Sequence, residues 1–310
     1  MNSEAKYARL TERGLLRIEG SDARAFLQGQ LSCDVDRLDE SHASYGSYST
    51  PQGRMVASFL LWRDAGAYVM HLPRSLCETV RQRLTKFILR SKVSLHDVTK
   101  DQVLIGVAGT SAGELLGTIF GAIPDAPLAR SAARDTSVLR LEPERFLIAA
   151  PLGQEADLLN ALAKGAGQMD ESHWDLLDIR AGIPYILPAT QEQFVPQAAN
   201  LDLIGGVSFD KGCYPGQEIV ARMHYRGKLK ERMYLAHVAS AQAPRPGDKL
   251  FGADMGQQAT GMIVNAAPAP GGGHDVLAAV HISSVEHGSV HLRANNGPPL
   301  AFLDLPYRFR

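Results

Sequence analysis

The stretch Arg13-Gly-Leu-Leu-Arg-Ile-Glu-Gly20 alternates in the manner of a strand, and Ser21 with Asp22 then offers an N-cap to the run Ala23 to Gln30, which reads as a helix. Further strands are predicted around Ser44 to Thr50, Arg54 to Trp62 and Tyr68 to Leu72, followed by a helix from Arg74 to Arg90 and a strand from Lys92 to Val98. In that helix Leu76, Val80, Leu84 and Phe87/Ile88 recur at helical spacing, which puts them on one face against a sheet, while Arg81, Arg83 and Lys86 take the wet side. The next stretch predicts strand Val103 to Val107, helix Ala112 to Phe120, strands Ser137 to Leu141 and Arg145 to Ala149, helix Glu155 to Lys164 and a last strand Trp174 to Ile179. That order is the split β-α-β-β-α-β arrangement, two helices on one face of an antiparallel sheet. Gly121 to Pro127 reads as a surface loop.

After Gly227 the pattern changes to short strand-like runs, Met233 to Val238, Met262 to Val264 and Val276 to Ile282, separated by turn clusters such as Pro244-Arg-Pro-Gly247 and Pro270-Gly-Gly-Gly273. A small C-terminal β-barrel or sandwich follows from that spacing. The fold class is therefore α+β. A length of 310 residues adds the expectation of two or three packed units.

Composition narrows the function classes. Hydrophobic residues make up 45% and charged residues 21%, a globular profile. The formal net charge of -1 leaves no global basicity, and hence no strong case for direct nucleic-acid binding, so any anion site must be local. No run of 18 apolar residues occurs and the start MNSEAKYARL is too polar for a signal peptide, so no membrane is expected and the cytoplasm is the expected compartment. Cys33, Cys77 and Cys213 show no C-x-x-C spacing, so no metal site is expected from them. No ATP-binding Gly-rich loop, His-rich metal motif or serine nucleophile elbow is visible, and Gly271 to Gly273 reads as a turn.

The chemistry concentrates in KGCYPGQE, Lys211 to Glu218. Pro215 opens a predicted helix from Gly216 to Met223, and a helix N-terminus together with the Lys211 ammonium would favour the Cys213 thiolate, the nucleophilic and metal-binding form. The alternative is a small turn residue without reactivity, which fits Cys33 and Cys77 better still. Arg222, His224, Arg226, Lys228, Lys230 and Arg232 occupy every second position. If that stretch is extended, all six point to one side and form an anion-binding ribbon, suited to a polyanion such as a polyglutamate tail or to an acidic partner. A solvated strand edge protected by lysines explains the same pattern, and RNA is a weaker third possibility.

The run FVPQAANLDLIGGVSFDKGCYPGQEIVARMHYRGKLKERM, residues 194–233, closely resembles the signature of the YgfZ family, folate-binding relatives of the glycine-cleavage T-protein. Weaker likeness covers Phe26-Leu-Gln-Gly-Gln30 with Asp34-Val35, Thr50-Pro-Gln-Gly-Arg54 and Arg180-Ala-Gly-Ile-Pro184. The resemblance implies a three-lobed T-protein-like molecule with a central folate pocket, divided as 1–45 with 100–228, 46–99 and 229–310. It implies tetrahydrofolate or another folate as cofactor, and a role in assembling or repairing iron-sulfur clusters, including those of tRNA-modifying enzymes. Iron-sulfur proteins or their assembly factors are then the expected partners. On that reading Cys213 and Lys211 act, with Gly212, Tyr214, Gly216, Gln217 and Glu218 supporting the motif. Trp174 is expected to stack on folate, although an ordinary core tryptophan has the same look. Gln197 and Asn200 have amides able to meet a pterin edge, Asn200 being equally suited to capping.

Two departures from the superfamily pattern bear on activity. T-protein relatives place an aspartate shortly after the glycine matching Gly53, where this chain reads Arg54-Met-Val-Ala-Ser58, and neither Ala57 nor Ser58 supplies the charge needed to manage a proton. Arg180 stands where related proteins carry a glutamate expected to bond the pterin. An arginine cannot accept such bonds, so it would pair with a folate carboxylate or point elsewhere. Three functions stay in view: a folate-binding iron-sulfur accessory protein, a folate-dependent one-carbon (aminomethyl) transferase or demethylase, and a non-catalytic folate adaptor.

Overall fold

A computed structural model of the chain describes residues 4–133, 135–225, 227 and 229–309. In chain order the N-terminal elements are β1 (Lys6–Arg9), β2 (Arg13–Glu19), α1 (Ala23–Gln28), β3 (Ala43–Ser49), β4 (Met55–Asp64), β5 (Ala67–Pro73), α2 (Arg74–Thr85) and β6 (Ser94–Asp97). Then come β7 (Gln102–Ala108), α3 (Ala112–Phe120), β8 (Arg130–Ala133), β9 (Thr136–Glu142), β10 (Arg145–Pro151), α4 (Glu155–Leu162), β11 (Gly167–Gln168) and α5 (Glu171–Arg180). The C-terminal part holds α6 (Gln217–Tyr225), β12 (Glu231–Val238), β13 (Lys249–Gly252), β14 (Ala259–Pro268), β15 (His274–His281), α7 (Ile282–Glu286), β16 (Val290–Leu292) and β17 (Leu300–Leu303). None of the described helices is long and apolar enough to cross a membrane.

The elements form two compact units, Met1–Gln28 with Val35–Ser44 and Phe59–Trp174, and Gly29–Asp34 with Tyr45–Ser58 and Asp175–Arg310. In the first unit, β11-β1-β7-β10-β9-β8 make one sheet. Val103, Ile105 and Val107 of β7 alternate with the strand pleat and join Phe146, Ile148 and Ala150 of β10 on one face, where Leu116 of α3 and Leu158 and Leu162 of α4 close the core. This is the expected split arrangement, with one correction. Trp174 to Ile179 is not its last strand but part of α5; the strand is the two-residue β11, paired parallel to β1. The misreading has a physical cause: Trp174, Leu176, Asp178 and Ile179 are all buried, so the segment lacks the one-sided stripe that marks an amphipathic helix.

The second sheet has the order β3-β4-β5-β2-β6. β2 pairs with both β5 and β6, so the opening strand joins the 46–99 stretch, whereas the sequence division grouped it with 100–228. α2 stops at Thr85, five residues before the predicted end, and Phe87 is 49% exposed while Leu76, Val80 and Leu84 are buried as expected.

In the second unit β16-β13-β14-β15-β12-β17 form a curled antiparallel sheet, and an isolated bridge between His291 and Pro299 draws its two edges together. Val238, Leu250, Ile263, Val276, Ala278, Val280 and Leu292 fill it. Strands β13, β16 and β17 escape sequence reading because they have only three or four residues each.

Candidate functional site

Within the second unit, four segments far apart in sequence meet through backbone contacts. The Lys211 side chain turns inward and is only 9% exposed. Its ammonium donates to the carbonyls of Leu31 and Cys33, each at 2.7 Å, and lies 5.2 Å from the Tyr214 ring centroid. Lys211, expected as an ammonium near the Cys213 thiol, thus also anchors the loop to a distant segment. Ser32 extends the anchor: its hydroxyl donates to Gly206 O at 2.6 Å and accepts from Ser47 N at 2.7 Å.

The fourth segment is the Thr50–Arg54 turn. Gly53 (φ +73°) and Gly216 (φ +83°) both adopt left-handed backbone, and a Cβ on Gly216 would fall 2.5 Å from Gly53 Cα and 2.6 Å from Thr50 O. Only glycine fits this approach, because the atoms in the way are backbone. Gln217 N then donates to Tyr214 O, and its side-chain amide reaches Lys211 O at 3.4 Å, closing the loop ahead of α6.

The consequence is an alternation of burial. Lys211 and Tyr214 are buried; Gly212 and Cys213 between them are exposed, and a Cβ on Gly212 would meet nothing within 4 Å. Cys33 and Cys77 are buried, leaving Cys213 as the exposed thiol of the three. Burial pushes the Cys77 thiol up to about 12, with Asp97 adding to the shift, so it is an inert core residue. The Tyr214 hydroxyl is likewise pushed up to about 12, first by burial and then by the nearby Cys33 thiol.

Four polar atoms of these and adjoining segments are buried without a hydrogen-bond partner among the described residues: Gln30 Oε1, Ser49 Oγ, Gln197 Oε1 and the Tyr214 hydroxyl. An orphaned buried group costs about 1–3 kcal/mol, so four in one unit need a reason such as a ligand or ordered water.

The expected folate contacts separate on this test. Gln197 donates to Val220 O at 2.6 Å and keeps Oε1 unused. Asn200, in left-handed backbone (φ 57°), spends both amide atoms on Met233, donating to its carbonyl and accepting from its N–H. Arg180 donates to Asp275 at 2.8 Å, and Asp275 also pairs with His237 at 2.9 Å. Trp174, in the first unit, is 1% exposed, lies against Gly106 and has the Arg145 guanidinium 4.7 Å from its ring centroid. Gln197 is thus the one of the four with a free acceptor.

The anion ribbon does not form as an extended row. Arg222 and His224 lie on α6, where residues two apart point about 200° apart around the axis. Arg232 lies in β12 and is held by Asp202 through two bonds of 2.7 and 3.0 Å. Lys230 precedes β12 and is exposed, while Arg226 and Lys228 lie outside the described residues. The helix simply runs two residues further than its predicted end at Met223. Among the described residues no three His, Cys, Asp or Glu side chains group as metal ligands. Sequence reading missed Ser32 and Cys33 as partners of the loop, although they sit between two stretches, Phe26–Gln30 and Asp34–Val35, that carry the family likeness.

No protein-family profile matches the chain. Curated proteins do. The chain is 33% identical over 304 residues to the tRNA-modifying protein YgfZ of Sodalis glossinidius, spanning 96% of this chain and 92% of that one. It is 35% identical over 244 residues to the tRNA-modifying protein YgfZ of Klebsiella pneumoniae, spanning 78% and 74%, and 34% identical to that of Hamiltonella defensa, spanning 78% and 72%. Among solved structures, the glycine cleavage system aminomethyltransferase T from Bartonella henselae superposes with a TM-score of 0.81 over 98% of this chain and 86% of that one, at 17% identity. That likeness is one of fold: the α+β fold here is the T-protein fold.

Proposed function

The chain belongs to the YgfZ family, and from that premise we propose that it is a tetrahydrofolate-binding accessory protein for assembling or repairing iron-sulfur clusters, acting through Cys213. Clusters of tRNA-modifying enzymes are the clients that the relatives' name favours, and the cytoplasm is the compartment. The observation that carries the reading is the anchored loop: Lys211 and Gly216 pin its two ends while Cys213 projects exposed between them. A thiol so placed meets a partner's cluster or sulfur species with little rearrangement, and its thiolate form ligates iron or attacks sulfur.

Folate would be held through Gln197, whose Oε1 is the acceptor a pterin N–H needs, with the Tyr214 hydroxyl a second unused partner. When bound, tetrahydrofolate supplies the N5 and N10 nitrogens that carry a one-carbon unit. The T-protein fold favours a second reading, aminomethyl transfer. Against it, Ala57 is fully buried and the Ser58 hydroxyl is committed to Pro184 O at 2.7 Å and Ile186 N at 3.0 Å, so no carboxylate stands after Gly53 to manage a proton.

The test uses cells lacking the protein and measures the activity of an iron-sulfur enzyme that methylthiolates tRNA. Wild type and Cys77→Ser should restore it and Cys213→Ser should not; full rescue by Cys213→Ser would overturn the thiol's role. For folate, calorimetric titration should show saturable binding that weakens about tenfold in Gln197→Leu, the worth of roughly one hydrogen bond. Absence of heat in wild type would sink the folate part.

A further inference from the structure

We propose that Phe209, His224 and Tyr225 form a stacking platform for an unpaired base of single-stranded RNA. Phe209 and His224 stack with centroids 3.8 Å apart and planes 18° from parallel. Tyr225 stands nearly perpendicular to both, at 75° to Phe209 and 86° to His224, with centroids 6.3 and 4.7 Å away. The three rings thus make a corner, a flat stack with a wall. His224 is exposed, Tyr225 is 66% exposed, and Phe209 beneath them is half-buried. The exposed His224 and Tyr225 rings leave apolar faces open to water, which a flat partner would cover.

Charge narrows that partner. From 222 to 230 the chain carries Arg222, Arg226, Lys228 and Lys230 and no carboxylate. Arg222 and Lys230 are exposed, and among the described residues neither forms an ion pair. The nearest carboxylates in sequence are Glu231, which faces His281 at 3.6 Å, and then Glu218 and Asp210, three against four. Cations beside stacking rings are the combination that takes single-stranded nucleic acid, the rings meeting base faces and the cations phosphates. An acidic peptide would use the cations and leave the rings idle. The choice of RNA over DNA rests on the reading that this chain serves tRNA modification.

The experiment measures fluorescence anisotropy of a labelled 17-nucleotide tRNA anticodon stem-loop and of a blunt duplex of the same stem, with the full chain. The stem-loop should bind at least fivefold more tightly. Phe209→Ala and Tyr225→Ala should each weaken it by about fivefold or more, the loss of one stacked base, and Tyr225→Phe should keep binding. Arg222→Ala and Lys230→Ala should weaken both RNAs alike and each reduce the salt slope by about one. Equal binding of stem-loop and duplex, alanine variants that bind as wild type, or displacement of the stem-loop by an equal concentration of glutamate decapeptide would overturn the platform. Cys213→Ser should bind RNA normally. Loss of RNA binding with the thiol still required in cells sinks the platform alone, and the converse sinks the cluster reading alone.

Discussion

The sheet of the first unit and the loop cluster of the second are held together by different physics. In the first, Val103 to Val107 and Phe146 to Ala150 alternate into one apolar layer under α3 and α4, and what matters is volume. In the second, Leu31 to Cys33, Thr50 to Arg54, Gly206 and Lys211 to Gln217 meet through glycine approaches and buried hydrogen bonds, and what matters is whether a backbone can come close and whether each polar atom finds a partner. A packed layer tolerates any side chain of suitable size, while a junction of backbones tolerates almost no substitution. The difference explains why an exposed thiol can be presented so firmly from a segment with little regular structure.

The sharpest way to break this contrast is Gly216→Val. It sets a branched side chain onto Gly53 and Thr50 in left-handed backbone, and a loss of more than about 4 kcal/mol is expected in urea unfolding, since neither obstacle is a movable side chain. Next come paired substitutions. Phe146→Ala should cost about 3–5 kcal/mol, most of it recovered by Leu, because the core needs volume. Lys211→Met should cost about 3 kcal/mol and Lys211→Leu no less, because the two carbonyls need donors. If an apolar side chain rescued position 211, the contrast would fail.

A pH titration of stability ranks third. Burial, with Arg13 as a second cause, lowers His71 in the first unit from the ordinary 6.5 to about 3. Above pH 6.5 both folded and unfolded chains hold it neutral. Below that the unfolded chain takes a proton the fold refuses, so stability drops by about 1.4 kcal/mol per pH unit as pH falls toward 3. The slope of stability between pH 6.5 and 5 should flatten in His71→Leu; an unchanged slope would assign acid sensitivity elsewhere. Smallest is Gly117→Ala in α3, where an added Cβ meets nothing within 4 Å. It should stabilise by about 0.5–1 kcal/mol, the opposite sign to Gly216.

Sequence periodicity alone was enough for β7, α3, β9, β10 and α4, because each has a long one-sided pattern facing one core. It failed at α5, where the buried Trp174, Leu176, Asp178 and Ile179 spread too widely around the axis, and include a carboxylate, to leave a narrow apolar stripe, and along residues 222–232, where alternation of charge coincided with the strand period although the backbone is helical to Tyr225. The motif Lys211 to Glu218 was legible as a motif, and its Cys213 is the exposed thiol. The tasks of its neighbours were not legible. That Lys211 serves two carbonyls, that Gly216 exists to admit Gly53, and that Arg180 is taken by Asp275 while Gln197 is left with an open acceptor all depend on residues 23 to 180 positions away. Local patterning determined the elements and pointed to the thiol, since periodicity and turn chemistry act over a few residues. Which polar groups are spent and which stay open was decided only by tertiary structure, because hydrogen-bond satisfaction is settled by whatever the fold brings within 3 Å.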